Sequence, residues 1–131
     1  MKKVLILCTG NSCRSIIAEA IINKVLKGKV QAYSSGTKPS GKVNPNAKKV
    51  LIQNNCWDEK YHSKVLDEVM HINYDLVITV CDNAKESCPI FKTDTKVIHI
   101  GFEDPDGKEY EAFQECYELI AQKLLPIVTE Y

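Results

Sequence analysis

An open α/β sheet of four parallel strands alternating with helices is the fold class this 131-residue chain predicts. Three observations carry it. Val4-Leu5-Ile6-Leu7 and the segment Asp75 to Val80 (DLVITV) are short and almost wholly apolar, as a strand covered on both faces requires. A stretch with apolar residues at helical spacing follows the first run, and another strand-like run follows that stretch. Strand, loop, helix, strand is a βαβ unit, which sets its two strands parallel through a right-handed crossover.

The elements read in order as follows. Lys2 to Leu7 is the first strand. Ile16, Ile17, Ala18, Ala20, Ile21, Ile22, Val25 and Leu26 form the helical stripe, which ends near Gly28. Val30 to Ser34 reads as the second strand, and Gly36-Thr-Lys-Pro-Ser-Gly41 as a loop. Asn44-Pro45 opens a second helix that runs to about Asn54, with proline tolerated in its first turn. Ser63 to His71 is expected to form a third helix, Asp75 to Val80 the third strand, and Cys81 to Pro89 a polar segment. Thr95 to Ile100 is the fourth strand. Glu109 to about Val128 closes the chain as a helix with Phe113, Cys116, Leu119, Ile120, Leu124 and Leu125 facing inward. Residues 1–131 are expected to form one domain, without repeats or a linker.

Lys plus Arg equals Asp plus Glu at 17 each, so no net field points to nucleic acid or to an anionic membrane surface. Any anion site must be local. No apolar stretch approaches the roughly 20 residues that span a bilayer, and no leader is read after Met1-Lys2-Lys3. The expectation is a cytoplasmic monomer, in which the six cysteines stay reduced unless they act as redox groups.

In α/β sheets ligands sit beyond the carboxyl ends of the strands. That is where Cys8-Thr9-Gly10-Asn11-Ser12-Cys13-Arg14-Ser15 lies, with the spacing C-x5-R between a strand end and a helix start. Amides of residues 9–15 curling at a helix N-terminus present N–H groups to a common centre, and the macrodipole adds positive potential there. Arg14 supplies a planar fork for two oxygens of a tetrahedral anion, and Gly10 allows close backbone approach. In that field a thiol is lowered from about 8.5 to roughly 3.5–7.5, so Cys8 is expected to be a thiolate nucleophile supported by a hydrogen bond from Ser15. Alone, a cysteine after a strand is a small core residue; the spacing and loop composition favour the nucleophile. Cys13 is expected on the helix side of the loop without a partner, and Cys56 and Cys116 in the packing.

An oxygen leaving the anion needs a proton donor. Asp104, in GFEDPDG after the fourth strand, is the candidate, with Glu103 its rival. Asp-Pro alone reads as a surface turn, but this loop must converge on Cys8. Cys81 and Cys88, in C-x6-C, lack the C-x2-C pair or nearby histidine of a structural zinc site. His62, His71 and His99 show no metal spacing, and no metal or cofactor is expected.

CTGNSCRS, YSSG, VNPNA, VITVCDNA and GFEDPDGKE resemble the signatures of the low-molecular-weight protein tyrosine phosphatase superfamily, and more closely those of its thioredoxin-coupled arsenate reductase branch. The resemblance covers essentially the whole chain. It implies a three-layer sandwich with strand order 2-1-3-4, Cys8 as nucleophile, Arg14 in anion binding and Asp104 as general acid. It further implies reduction of arsenate through a Cys8, Cys81, Cys88 relay regenerated by thioredoxin, with phosphate or sulfate competing for the cradle and weak phosphatase activity retained. A plain phosphatase, needing only Cys8, Arg14 and Asp104, is the alternative, and a non-catalytic thiol module that senses oxidants or binds soft metals is a third. Phosphatases of the superfamily usually place aromatic residues after the Asp-Pro pair, whereas Asp106-Gly107-Lys108 follows here. Members that hold potassium do so at positions matching Asn11, Glu19 and Ser34; the fourth position here is Lys64, whose ammonium takes the same electrostatic place. Read singly, Glu19 and Lys64 are solvated surface charges.

Overall fold

The computed structural model describes residues 1–81 and 95–130. Its elements are β1 (Lys2–Cys8), α1 (Arg14–Val25), β2 (Val30–Gly36), α2 (Pro45–Gln53), a 3-10 turn at Leu66–Glu68, β3 (Leu76–Thr79), β4 (Lys96–His99) and α3 (Tyr110–Glu130). The sheet has the order β2-β1-β3-β4, and every neighbouring pair is parallel. This is the expected α/β architecture and strand order.

Consecutive strand residues point to opposite faces. Val4, Leu5, Ile6 and Leu7 are all fully buried, as are Leu76, Val77 and Ile78, so β1 and β3 are covered on both sides. That double cover is why these strands read as unbroken apolar runs rather than alternating ones. Each such side chain contributes about 1.5–3 kcal/mol of burial. β4, at the end of the order, exposes Lys96 and Val97. On α1, residues 15–22 are all buried, while α3 faces the core through Phe113, Cys116, Ile120, Leu124 and Val128.

Two expectations need correction. Leu119 is 45% exposed, because the stripe from Phe113 to Val128 is already complete without it; Leu125 is half-buried at the stripe's margin. Ser63 to His71 is not a helix beyond the turn at Leu66–Glu68. Its first residues are drawn into an extended path: Val65 bridges to Gly36, Lys64 O accepts from the Gly36 N–H (3.0 Å), and the Lys64 N–H donates to Asn11 Oδ1 (2.9 Å). Backbone groups committed to distant partners are not available to a helix.

The helix at Asn44 forms as read. Asn44 Oδ1 accepts from the N–H groups of Asn46 (2.8 Å) and Ala47 (3.4 Å), capping α2, and Pro45 occupies the first turn. The carboxyl ends of β1, β2 and β3 deliver Cys8, Gly36 and Cys81 to one end of the sheet. Among the described residues no helix is long and apolar enough to cross a membrane.

Candidate active site

The loop from Cys8 to Arg14 is held by its carbonyls. Cys8 O accepts from the Thr37 N–H (3.0 Å), Thr9 O from Lys38 (2.9 Å), Gly10 O from Ser40 (2.9 Å) and Ser12 O from Asn44 (2.9 Å). Four of the loop's carbonyls are thereby bonded to the segment after β2. Cys13 is the N-cap residue of α1 and makes no side-chain cap, so it does not occupy the first-turn donors. Gly36 borders this loop closely: a Cβ there would lie 2.5 Å from Thr9 O.

Asn11 is the internal brace. Its φ of 48° is left-handed, a conformation asparagine tolerates, and the residue is fully buried. Its Nδ2 donates to Ser15 Oγ (2.8 Å) and Ser34 Oγ (3.0 Å), while Oδ1 accepts from Lys64. Ser34 Oγ donates to Glu19 Oε1 (2.6 Å), and Lys64 Nζ lies 3.9 Å from the same oxygen while donating to His62 O (2.9 Å). Glu19 and Lys64 are therefore a buried pair and not solvated charges, their side chains being 7% and 8% exposed. Burial pushes the Glu19 carboxyl up against the pull of Lys64, and pushes the Lys64 ammonium down against the pull of Glu19.

Cys8 is 3% exposed, and Cys81 lies within hydrogen-bonding reach of it. Thr9 Oγ1 and Cys81 Sγ share a hydrogen bond of 3.1 Å. Burial works against the expected thiolate. Burial pushes the Cys8 thiol from 9.0 up to about 11, Arg14 opposing and Cys81 adding to the rise. Arg14 opposes that rise with a fork that is engaged with the loop after β4: Nη1 donates to Phe102 O (3.0 Å) and Nη2 lies 3.4 Å from Asp104 Oδ2. Among the described residues its Nε is buried without a partner, and the Ser15 hydroxyl oxygen accepts from Asn11 Nδ2.

Asp104 stands beside Arg14 with a half-exposed carboxylate, and its Oδ1 accepts from the Asp106 N–H (3.0 Å). Glu103 is instead paired with Lys108 at the surface, 84% exposed, with its carboxyl held below the usual range by that lysine. Of the two carboxylates, Asp104 is the one beside Arg14. Cys13 has a partner, Ser12 Oγ at 3.7 Å, and burial pushes it up to about 12. Cys116 is buried on α3 and raised to about 11 by burial. Cys56 packs with its sulfur donating to Asn54 O (3.4 Å) and against Tyr117 Oη (3.4 Å). His99 bonds Thr79 Oγ1 through Nδ1 (2.8 Å), a structural role. Among the described residues no group of three His, Cys, Asp or Glu could hold a metal ion. Cys88 lies outside the described residues.

A depression of about 370 Å³ opens at the other end of the strands, lined by Lys24, Lys27, Trp57 and Tyr61, away from Cys8. Sequence reasoning found Asn44 as a helix start but not its ties to the two loops, and found neither Ser63, whose Oγ donates to Gly10 O (3.0 Å), nor the packing of Gly36. Only the Gly after YSS hinted at a close approach.

Comparison with known proteins adds to this geometry. The family described as low molecular weight phosphotyrosine protein phosphatase matches residues 3–130. An arsenate reductase of Bacillus cereus (strain AH187) is 39% identical over 123 residues, covering 94% of this chain and 91% of its own. Among solved structures, the arsenate reductase from Archaeoglobus fulgidus is 29% identical with a TM-score of 0.80, covering 96% of this chain and 98% of that one. An arsenate reductase in its phosphate binding state is 25% identical with a TM-score of 0.82, covering 99% and 98%.

Proposed function

We propose, from the premise that this chain belongs to the low molecular weight phosphotyrosine protein phosphatase family, that it is an arsenate reductase working by a thiol relay. The observation that carries the reading is the second thiol: Cys81 lies within hydrogen-bonding reach of Cys8 at the anion loop. A hydrolytic phosphatase has no use for it, since water completes that cycle. The relatives named arsenate reductase, and the solved one that binds phosphate, support the same substrate shape.

The oxyanion takes the inward N–H groups of residues 9–15 and the fork of Arg14, which is matched to two oxygens at once. Turning that guanidinium from Phe102 O toward the anion brings positive charge to the buried sulfur and lowers its pKa. Cys8 then displaces one arsenate oxygen, which leaves as water with a proton supplied by Asp104, and a sulfur–arsenic(V) bond forms. Cys81 attacks the Cys8 sulfur. The sulfur–arsenic bond breaks with its electron pair remaining on arsenic, so arsenic(V) leaves as arsenite and two thiols have become a Cys8–Cys81 disulfide. Cys88 attacks Cys81, releasing Cys8 as a thiol, and the Cys81–Cys88 disulfide takes two electrons from the dithiol of thioredoxin. No metal or cofactor enters these steps. The protein acts as a monomer in a reducing cytoplasm, where such a reductant is at hand.

The test is arsenate-dependent NADPH oxidation coupled through thioredoxin and its reductase, run beside aryl phosphate hydrolysis. Sustained arsenate turnover with weak hydrolysis is expected, and Cys88→Ser should allow at most one turnover. Strong hydrolysis without arsenate turnover assigns the chain to the phosphatases instead, and multiple turnover by Cys88→Ser removes the relay.

A further inference from the structure

We propose that Asn44 is a positioning residue that sets the proton-donating loop in register with the anion loop; this rests on the reading of Asp104 as the acid. Asn44 joins three parts of the molecule. Its backbone N–H donates to Ser12 O of the anion loop (2.9 Å), its Oδ1 caps α2, and its Nδ2 donates to Asp106 Oδ1 (2.8 Å). From Asp106 the chain of contacts continues: its N–H donates to Asp104 Oδ1 (3.0 Å), and Asp104 Oδ2 lies 3.4 Å from Arg14 Nη2. Arg14 opens α1 at the end of the anion loop, so the contacts close into a ring around the site.

Within that ring Asn44 is the member with no freedom to turn. Rotating the amide to aim its oxygen at Asp106 would set two acceptors face to face and strip α2 of its cap. Asp106, in contrast, sits in an exposed loop with Gly107 at φ 81° behind it and only short-range bonds such as Lys108 N–H to Pro105 O (3.0 Å). Beside the Arg14 contacts to Phe102 O and Asp104, the Asn44 contact is the tie that refers the Asp106 end of this loop to the anion loop. Misplacing a catalytic group by about 1 Å can cost up to about a hundredfold in rate, so a single surface hydrogen bond has leverage here beyond its own strength.

Asn44→Asp is the discriminating variant. It keeps the capping oxygen, so α2 still forms, but it removes the N–H donor and sets a carboxylate opposite Asp106. Expected is a fall of about tenfold in kcat for arsenate reduction with KM changed by less than about twofold, because the anion loop itself is untouched. The double variant Asn44→Asp with Asp106→Asn restores the contact with donor and acceptor exchanged, and kcat should return to within about threefold of the parent. An unchanged kcat in the single variant, or an equal loss in the double, overturns the proposal. Amide exchange at Asp106 gives a readout independent of turnover: faster in the single variant and restored in the double supports the coupling, unchanged rates overturn it. A parent protein that turns over no arsenate would sink the functional reading alone, since the exchange measurement still decides the coupling.

Discussion

The two loops that meet at Arg14 are held by opposite means. The anion loop is braced from within: Asn11, Ser15, Ser34 and Ser35 are fully buried, and the carbonyls of residues 8, 9, 10 and 12 are each bonded to the segment after β2. The loop after β4 is braced from without, by the exposed contacts Asn44–Asp106 and Lys108–Glu103 and by the Arg14–Asp104 pair, whose carboxylate is 52% exposed. Hydrogen bonds in a low-dielectric interior are stronger and more costly to break than those in water. The difference teaches a division of labour. Under the proposed function, recognition of a tetrahedral anion needs donors that do not move, whereas the proposed proton donor must meet solvent to be recharged and must let go of Arg14 when the anion arrives.

If that contrast is right, damage to the buried brace should unfold the protein while damage to the exposed loop should only slow it. The largest effect is expected from Lys64→Met, which leaves Glu19 buried without its cation; a loss of about 3–5 kcal/mol in urea unfolding is predicted. Its pH dependence has a definite sign. The Glu19 carboxyl is raised above 4.5 by burial, so between 4.5 and the folded value the native state holds a proton that the unfolded chain has released. Stability therefore falls as pH rises through that window. Removing Lys64 lifts the folded value further, so the variant should lose more, relative to the parent, at about pH 8 than at about pH 5. An equal loss at both would mean that the pair is not electrostatically linked.

Next in size is Gly36→Ala. The added methyl would lie 2.5 Å from Thr9 O, and backbone must shift to admit it. A loss of about 1–3 kcal/mol is expected, with weaker binding of phosphate by calorimetry because the loop's N–H groups move with that carbonyl. Stability lost with phosphate binding intact would show that the cradle is less rigid than the contrast requires.

Much of this was legible in the residues. The strands and helices were, because runs such as Val4 to Leu7 and stripes such as Phe113 to Leu124 are local patterns that burial on both faces or on one face imposes. The position of Cys8, Arg14 and Asp104 at one end of the sheet followed from topology alone. What escaped was set by contacts remote in sequence. Ser63 to His71 carries helix-compatible residues, yet its path is decided by Gly36 and Asn11, far up the chain. Glu19 and Lys64 look like any surface charges until Ser34 and the sheet end enclose them. The ionisation of Cys8 depends first on how deeply its sulfur is buried, which the spacing C-x5-R does not specify.

That last point gives the smallest and sharpest of the expected effects. The Cys8 thiol stands at about 11 because burial outweighs Arg14, and Cys81 raises it further both by its charge when ionised and by its hydrogen bond. Cys81→Ala removes both contributions from Cys81 while leaving Arg14 and the anion loop in place. The pKa of Cys8 should then fall below about 11, so that alkylation of Cys8 by iodoacetamide, followed by mass spectrometry, reaches its plateau at lower pH than in the parent. The sign matters more than the size. Both contributions need the two sulfurs close together, which disulfide formation also requires. An alkylation profile that does not move on removing Cys81 would place the two sulfurs apart in solution, and the anion loop would then be a rigid cradle for one thiol alone.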